Sequence, residues 1–472
     1  TTRDGTLLSV DVSLPGPADK GPYPVLMEYS GYDPSNPTAS LNPFQIIANL
    51  QGYAYVGVNM RGTGCSGGSF NFFEEIQSLD GYDAVETIAA QPWATGRVGL
   101  VGISYPGISQ LFVAQTRPPH LAAITPLSVI DDTYRGTLYP GGIYNDGFAK
   151  DWAQQRLDQN RWPNPKGAKW VEQRVAEGDE TCIDNLRLRG QNVDLMQTIR
   201  DNPYYSTDGI PGYPKGFDSV APARFVDRIE VPTFIAGAWQ DEQTGGHWPE
   251  MIANFPKDIP LRVTAQNGTH TDSLDPEVVT RQLEFLDFYV ARRIPEISPQ
   301  LRGLAPQLWA QITGLTDVPV PADRFSDFTS YRTALKSFEA EPRVRILWEN
   351  GAKPGASAGS PLPAAETTAP TWPLPGTKAK VLYLAADGSL QTAAPDAAQS
   401  LAFNYEPNAR PRKTYTGSGS GIWRATPTYD WVPLDSASSL SWITAPLART
   451  TTIAGPGSVD LTLRSEEHTS EL

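Results

Sequence analysis

Residues 98–107 read VGLVGISYPG and hold the chain's sharpest chemical signal, Ser104. An apolar run enters Gly102-Ile103-Ser104-Tyr105-Pro106-Gly107, and a helical pattern follows at once. A serine on a tight strand-to-helix turn has its hydroxyl pushed out above the sheet edge, and flanking glycines permit the close turn. The backbone N–H of Tyr105 would then stand at a helix N-terminus, aimed where an oxyanion forms. Pro106 lacks an N–H, but the first helical turn needs none there. The run departs from plain G-x-S-x-G, because proline is at +2 and the second glycine at +3. Spacing alone therefore leaves a purely structural Gly-Ser turn open.

A neutral hydroxyl is a poor nucleophile and needs a base, itself oriented by a carboxylate. The chain has four histidines, His120, His247, His270 and His468. In a doubly wound hydrolase the order is serine, acid, histidine, each after a later strand. The apolar run at 231–238 leads into Trp239-Gln240-Asp241, and that at 261–265 into Asn267-Gly268-Thr269-His270. Both sit at C-terminal strand ends, where open α/β sheets bind ligands. Asp241 is the expected acid and His270 the expected base. His247, six residues after Asp241, competes as a pocket or helix-start residue, and His120 precedes a strand and so lies at the wrong sheet edge. Asp272 and Asp275 compete with Asp241 but are expected to cap the next helix.

The elements that must position these groups follow from hydrophobic period. Residues 7–14 alternate like a half-buried strand, while 23–29, 54–59, 97–103 and 122–129 read as buried strands. Helical spacing at 80–91 and 108–115 falls between them, which predicts βαβ units and a parallel sheet. From 131 to about 225 the strand signal disappears and helical stretches at 151–160 and 168–177 predict an inserted cap. Strands return at 231–238 and 261–265, with a helix over 278–292. From about 295 the helices are expected to fade. Residues 351–377 are rich in Pro, Ala, Gly, Ser and Thr and read as a long loop. Short runs at 379–384, 401–405 and 459–463 predict a β-sandwich.

Composition narrows the class. A 472-residue chain is expected to form about two or three domains. Its net charge of −14 argues against nucleic acid as partner. No apolar run approaches the roughly 18 residues that cross a bilayer. The 43 prolines are about twice the usual share of roughly 5 %, which favours a loop-rich enzyme over a helical bundle. The two cysteines, Cys65 and Cys182, exclude a disulfide framework and a thiolate zinc cluster; one bridge in an oxidising compartment and two unpaired buried thiols both stay open. No metal or organic cofactor is implied, since no ligand cluster has the required spacing. The acidic, Pro-rich chain with two cysteines suits a secreted protein. Residues 464–472, RSEEHTSEL, resemble a translated sequencing adapter, so a non-native tail holding His468 is expected there, with the natural chain cut off near Leu463.

Together, GISYPG, MRGTGCSGG (60–68), DGYDAVETIAAQPWATGRVG (80–99) and GAWQD (237–241) resemble the CocE/NonD hydrolases, the peptidase S15 type that includes ester hydrolases and X-prolyl dipeptidyl aminopeptidases. The resemblance implies an α/β-hydrolase sheet (residues 1–130 and 226–295), an inserted helical cap (131–225) and a C-terminal jelly-roll β-sandwich (296–463), incomplete if the tail is foreign. It places the start of the jelly-roll at VRILWENG (344–351). It also implies the triad Ser104, Asp241 and His270, with the Tyr32 hydroxyl in EYSGYDP completing an oxyanion hole with Tyr105 N–H. Two details depart from the family: Asn267-Gly268-Thr269 stands where Pro-Trp usually leads in to the base, and Gly-Ala-Trp-Gln-Asp replaces Gly-Trp-Tyr-Asp. The implied partner is a small ester, amide or short peptide. An X-prolyl peptidase would also need a buried carboxylate for the peptide amine, for which Asp131, Asp132, Asp146 and Glu180 are candidates. Trp152, Tyr139 and Tyr144 either line the pocket or form the cap's own core. A binding-only fragment without catalysis is the remaining alternative.

Overall fold

The computed structural model describes residues 1–38, 42–201, 215–409, 414–433, 435–455 and 457–463. The expected foreign tail and His468 lie outside the described residues. The first part of the chain alternates strands and helices: β1 (Val10–Ser13), β2 (Tyr23–Ser30), α1 (Pro43–Leu50), β3 (Ala54–Asn59), α2 (Glu75–Ala89), β4 (Ala94–Ile103), α3 (Tyr105–Ala114) and β5 (Leu121–Leu127). A helical segment follows, with α4 (Phe148–Asn160), α5 (Lys169–Ala176), α6 (Glu180–Asn185) and α7 (Leu195–Asp201). The sheet resumes with β6 (Thr233–Ala238), β7 (Leu261–Gln266) and α8 (Pro276–Leu286). Then come α9 (Pro299–Thr313), α10 (Tyr331–Glu339), β8 (Val344–Asn350), β9 (Pro363–Ala369), β10 (Tyr383–Leu384) and β11 (Leu390–Gln391).

Nine strands form one sheet in the order β1-β3-β2-β4-β5-β6-β7-β8-β9, parallel except for β1 and β9 at its two edges. Side chains alternate between faces as the strand period demands. Val25, Met27 and Leu100 join one core with α2 and α3; Leu26 and Val101 join the other with α1, α8, α9 and α10. Both faces are covered, which is why the inner strands are almost wholly apolar.

Several expectations change. Helices do not fade after 295: α9 and α10 pack Leu301 and Phe338 on the sheet. Gly303 and Pro306 inside α9 punctuate its sequence, yet burial of Leu301, Ala305 and Trp309 outweighs them. Nor does the sheet stop there. The VRILWEN run expected to open the jelly-roll is β8, paired in parallel with β7, and β9 lies within the stretch read as a loop. Of the expected sandwich, the described residues after 369 hold the β10–β11 ribbon and two single bridges, Ser389–Ile443 and Tyr415–Tyr429. Among these described residues Trp431 and Ile443 are each about 70 % exposed, as in an incomplete sandwich whose facing side is not covered.

Two of the runs that carry the family resemblance, 60–68 and 80–99, also have a physical role. Arg61 of MRGTG forms a two-pronged bond with buried Asp80 of DGYD, both contacts at 2.6 Å. The same loop carries Cys65, which is disulfide-bonded to Cys182 in α6. Of the alternatives left open by the sequence, the bridge is the one formed, and it staples the helical insertion to the sheet.

Candidate active site

Ser104 is the lone residue between β4 and α3, at φ 65°, ψ −128°. Such a backbone costs a non-glycine residue about 1–3 kcal/mol and persists only where the surroundings over-determine it. Here the Ser104 N–H donates to the Leu127 carbonyl at 2.9 Å, and its own carbonyl accepts from Ile108 N–H at 2.7 Å. The unusual +3 glycine has a steric cause. A Cβ on Gly107 would lie 2.5 Å from the Leu127 carbonyl oxygen, so only glycine lets α3 press so closely on β5. Pro106 occupies the second helical position, where its missing N–H costs nothing.

The Nδ1 atom of His270 lies 2.7 and 2.9 Å from the two carboxylate oxygens of Asp241. Both side chains are buried. Asp241 also accepts from the Thr244 hydroxyl at 2.7 Å and from the N–H groups of Thr244 and Gln243 at 2.8 and 2.9 Å. Burial alone would raise this carboxyl's pKa. The hydrogen bond and charge of His270, together with the Thr244 donors, outweigh it and hold the group below the ordinary aspartate value. An ionised Asp241 accepts from Nδ1–H and leaves Nε2 as the basic nitrogen.

The end of β5 ties the serine and histidine segments together. Leu127 accepts from Ser104, and the next residue, Ser128, donates its hydroxyl to the His270 carbonyl at 2.8 Å. The histidine loop is further closed by a capping box between Thr269 and Asp272. Contrary to the expectation from sequence, Asp272 therefore does not cap the next helix but closes the turn that holds His270 itself. Asp275 stands at the N-cap of α8, but its side chain accepts from Asn350 instead of capping.

The rival histidines have other partners. His120 Nδ1 sits 2.6 Å from Glu86 at the opposite end of β5. His247 Nδ1 sits 2.9 Å from buried Asp131, whose hydrogen bond raises the imidazole's pKa. With Glu250 these two place three ligand-type atoms within 4.8 Å, a grouping drawn from separate elements and therefore invisible in sequence spacing.

Tyr32 follows β2, and Ser104 follows the neighbouring β4. The chain crosses from β3 past β2 to reach β4, so these two residues flank the sheet's topological switch point. The Tyr32 ring meets the Tyr105 ring edge-on at 5.5 Å. Trp152 of α4 donates its indole N–H to the Tyr32 hydroxyl oxygen at 3.1 Å, and Arg156 lies over the Tyr32 ring at 4.9 Å. Of the three cap aromatics named from sequence, Trp152 reaches Tyr32 and Tyr105. Tyr139 packs against Tyr134 and Tyr144, so it belongs to the cap's interior.

Sequence reasoning missed Thr244 and Ser128. Thr244 carried a usable signal, since a D-x-x-T turn after an acid is a common side-chain-to-backbone arrangement. Ser128 carried none, because its role depends on the strand order.

Comparison with known proteins agrees with this architecture. A family model described as X-Pro dipeptidyl-peptidase (S15 family) matches residues 4–272, and one described as the X-Pro dipeptidyl-peptidase C-terminal non-catalytic domain matches 336–472. Cocaine esterase of Rhodococcus sp. (strain MB1 Bresler) is 37 % identical over 156 residues, 32 % of this chain and 26 % of that protein. A CocE/NonD family hydrolase from Staphylococcus aureus superposes with TM-score 0.55 at 18 % identity, over 83 % of this chain and 58 % of that one. An aminopeptidase from a marine sediment archaeon, Thaumarchaeota archaeon, gives 0.54 at 17 %, over 88 % and 65 %. The chain thus spans under two thirds of the length of the proteins it resembles. With the catalytic-region model covering more than half of its residues, this chain belongs to the S15 family of CocE/NonD hydrolases.

Proposed function

We propose that the chain is a serine hydrolase that transfers the acyl group of an ester or amide to water, with Ser104 as nucleophile, His270 as base and Asp241 as its orienting acid. The observation that carries this reading is the short contact of His270 Nδ1 with Asp241, in a loop fastened to the same strand end as the strained Ser104 turn. Ser104 Oγ attacks the carbonyl carbon while Nε2 takes its proton. The tetrahedral oxyanion is held by Tyr105 N–H and Tyr32 O–H. Nε2 then protonates the leaving alcohol or amine, and water repeats the sequence on the acyl-enzyme. No metal is needed for any step.

The family's description offers a second reading, an X-Pro dipeptidyl-peptidase. That activity calls for a buried acid to pair with a peptide's free amine. Asp131 is engaged by His247, Asp132 by Arg135 and Asp146 by Lys150, while Glu180 is exposed at the start of α6. These pairings, with the resemblance to an esterase, favour a simple ester or amide substrate. The Cys65–Cys182 bridge supports an oxidising, secreted location.

Labelling with a fluorophosphonate, followed by turnover of aryl acyl esters beside X-Pro anilides, tests the reading. Wild type should be labelled and Ser104→Ala should not. An unlabelled wild type would leave a binding-only protein, and faster turnover of X-Pro anilides would favour the peptidase.

A further inference from the structure

The carboxylate of Glu242, next to Asp241 in the chain, spans two regions of the molecule. Its Oε2 accepts from the backbone N–H of His270 at 3.0 Å, and its Oε1 accepts from the indole N–H of Trp423 at 3.0 Å. Trp423 closes the short helical turn Gly419–Trp423, inside the region matched to a non-catalytic domain. That turn is not loosely placed. Ala425 N–H donates to the Thr313 carbonyl at 2.9 Å and the Arg424 guanidinium to the Ala310 carbonyl at 3.2 Å, so the segment is seated on the C-terminal end of α9.

Glu242 itself is exposed. An exposed glutamate has three free side-chain torsions, and water competes for its oxygens, so a bond to His270 N–H would be weakly held on its own. The second oxygen accepts from the Trp423 N–H and also from the Gln243 side-chain amide at 3.1 Å, but only Trp423 ties it to a distant, seated segment. A rigid histidine backbone matters because a base displaced by about 1 Å loses on the order of 100-fold in rate.

We propose that Glu242 is a positioning residue for His270 and that Trp423 holds Glu242 in place, so that the C-terminal segment takes part in catalysis through a two-bond relay to the base. The relay rests on the serine-hydrolase reading given above. Neither residue touches substrate; each acts through the setting of the imidazole.

The test compares Glu242→Ala, Glu242→Gln, Trp423→Phe and the Glu242→Ala/Trp423→Phe double variant. The readouts are fluorophosphonate labelling rate, aryl-ester kcat and KM, and Tm. Glu242→Ala should slow labelling and kcat about tenfold with KM little changed. Glu242→Gln keeps an acceptor and should recover most of that loss. Trp423→Phe should cost about threefold in the wild-type background and nothing further beside Glu242→Ala. A Trp423→Phe enzyme at the wild-type rate, an equal Trp423→Phe loss in both backgrounds, or a Glu242→Gln variant no better than alanine overturns the relay. Retained Tm separates these effects from misfolding. Labelling that survives Ser104→Ala would instead sink the hydrolase reading beneath it.

Discussion

Trp309 donates its indole N–H to the carbonyl of Leu274 at 2.7 Å. Helix α9 thereby closes the far end of the loop that carries His270. Asn350 of β8 clasps both flanks of the same loop, its N–H donating to Asn267 at 3.0 Å and its amide to Asp275 at 2.7 Å. All these anchors lie beyond the stretch matched to the catalytic family model. Besides its bonds to Ser128 and Asp241, the histidine loop is therefore held by residues far along the chain, while the serine turn is fixed locally by β4, α3 and β5.

Removing the charge of Asp241 should be severe. Asp241→Asn retains the shape but presents an amide to Nδ1, favouring the wrong imidazole tautomer, and kcat should fall roughly 10⁴-fold. Thr244→Val removes one hydroxyl donor to the carboxylate and should cost about five- to tenfold. Steady-state aryl-ester kinetics check both. A Thr244→Val loss equal to that of Asp241→Asn would mean the threonine does more than hold the carboxylate.

Tyr32 should act on the transition state. Tyr32→Phe deletes a donor to the oxyanion and should lower kcat by about 10²–10³-fold, on the order of 3–4 kcal/mol, with KM less affected. Trp152→Phe leaves a ring in place but frees the Tyr32 hydroxyl oxygen, and a loss of about fivefold is expected. Kinetics of the two variants and their combination separate the contributions. A Tyr32→Phe enzyme with unchanged kcat excludes the hydroxyl from the oxyanion hole.

The residues of the candidate site stand out in sequence where their setting is local. Ser104 announced itself through a strand, a turn and a helix in ten residues. Asp241 and His270 could be ranked because each follows an apolar run at a strand end. The strands β2 to β7 were legible for the same reason, since burial on both faces leaves unbroken apolar runs. What was hidden depends on distant partners. β9, PAAETTA, has little strand character and exists because β8 offers it an edge. α9 carries Gly303 and Pro306, so its helical period was masked. Ser128 and Asn350 look like ordinary polar residues until the strand order brings them to the histidine loop.

The disulfide should govern the cap. Cys182→Ser opens a bridge that closes a span of 117 residues, and stability should fall by about 2–4 kcal/mol. Urea denaturation of the variant, and of wild type with and without reductant, measures this. Because Cys65 and Cys182 are both buried, reduction of the native protein should be slow unless denaturant is present. Equal midpoints for oxidised and reduced protein would show that the cap is held by its other contacts, such as the buried Arg189 bonds to the Gly64 and Ser66 carbonyls.

Asp272 should make stability fall as pH rises through the weakly acidic range. Burial, reinforced by the charges of Glu242 and Asp241 and opposed by bonds from Thr269, pushes its carboxyl up to about 6. In the unfolded chain the same group titrates near ~3.9. Between these values the folded protein keeps a proton that the unfolded chain has released, so its contribution is fully present below about pH 4 and lost as pH climbs past about 6. The shift of about two units corresponds to roughly 3 kcal/mol. Asp272→Asn cannot ionise, and its amide oxygen can still accept the Thr269 N–H that Asp272 holds at 2.7 Å. Its stability relative to wild type should therefore rise by up to roughly 3 kcal/mol from pH 4 to pH 7. Urea denaturation of both proteins across that range reads the difference directly, and a pH-independent difference would mean that Asp272 ionises as readily in the folded protein as in the unfolded one.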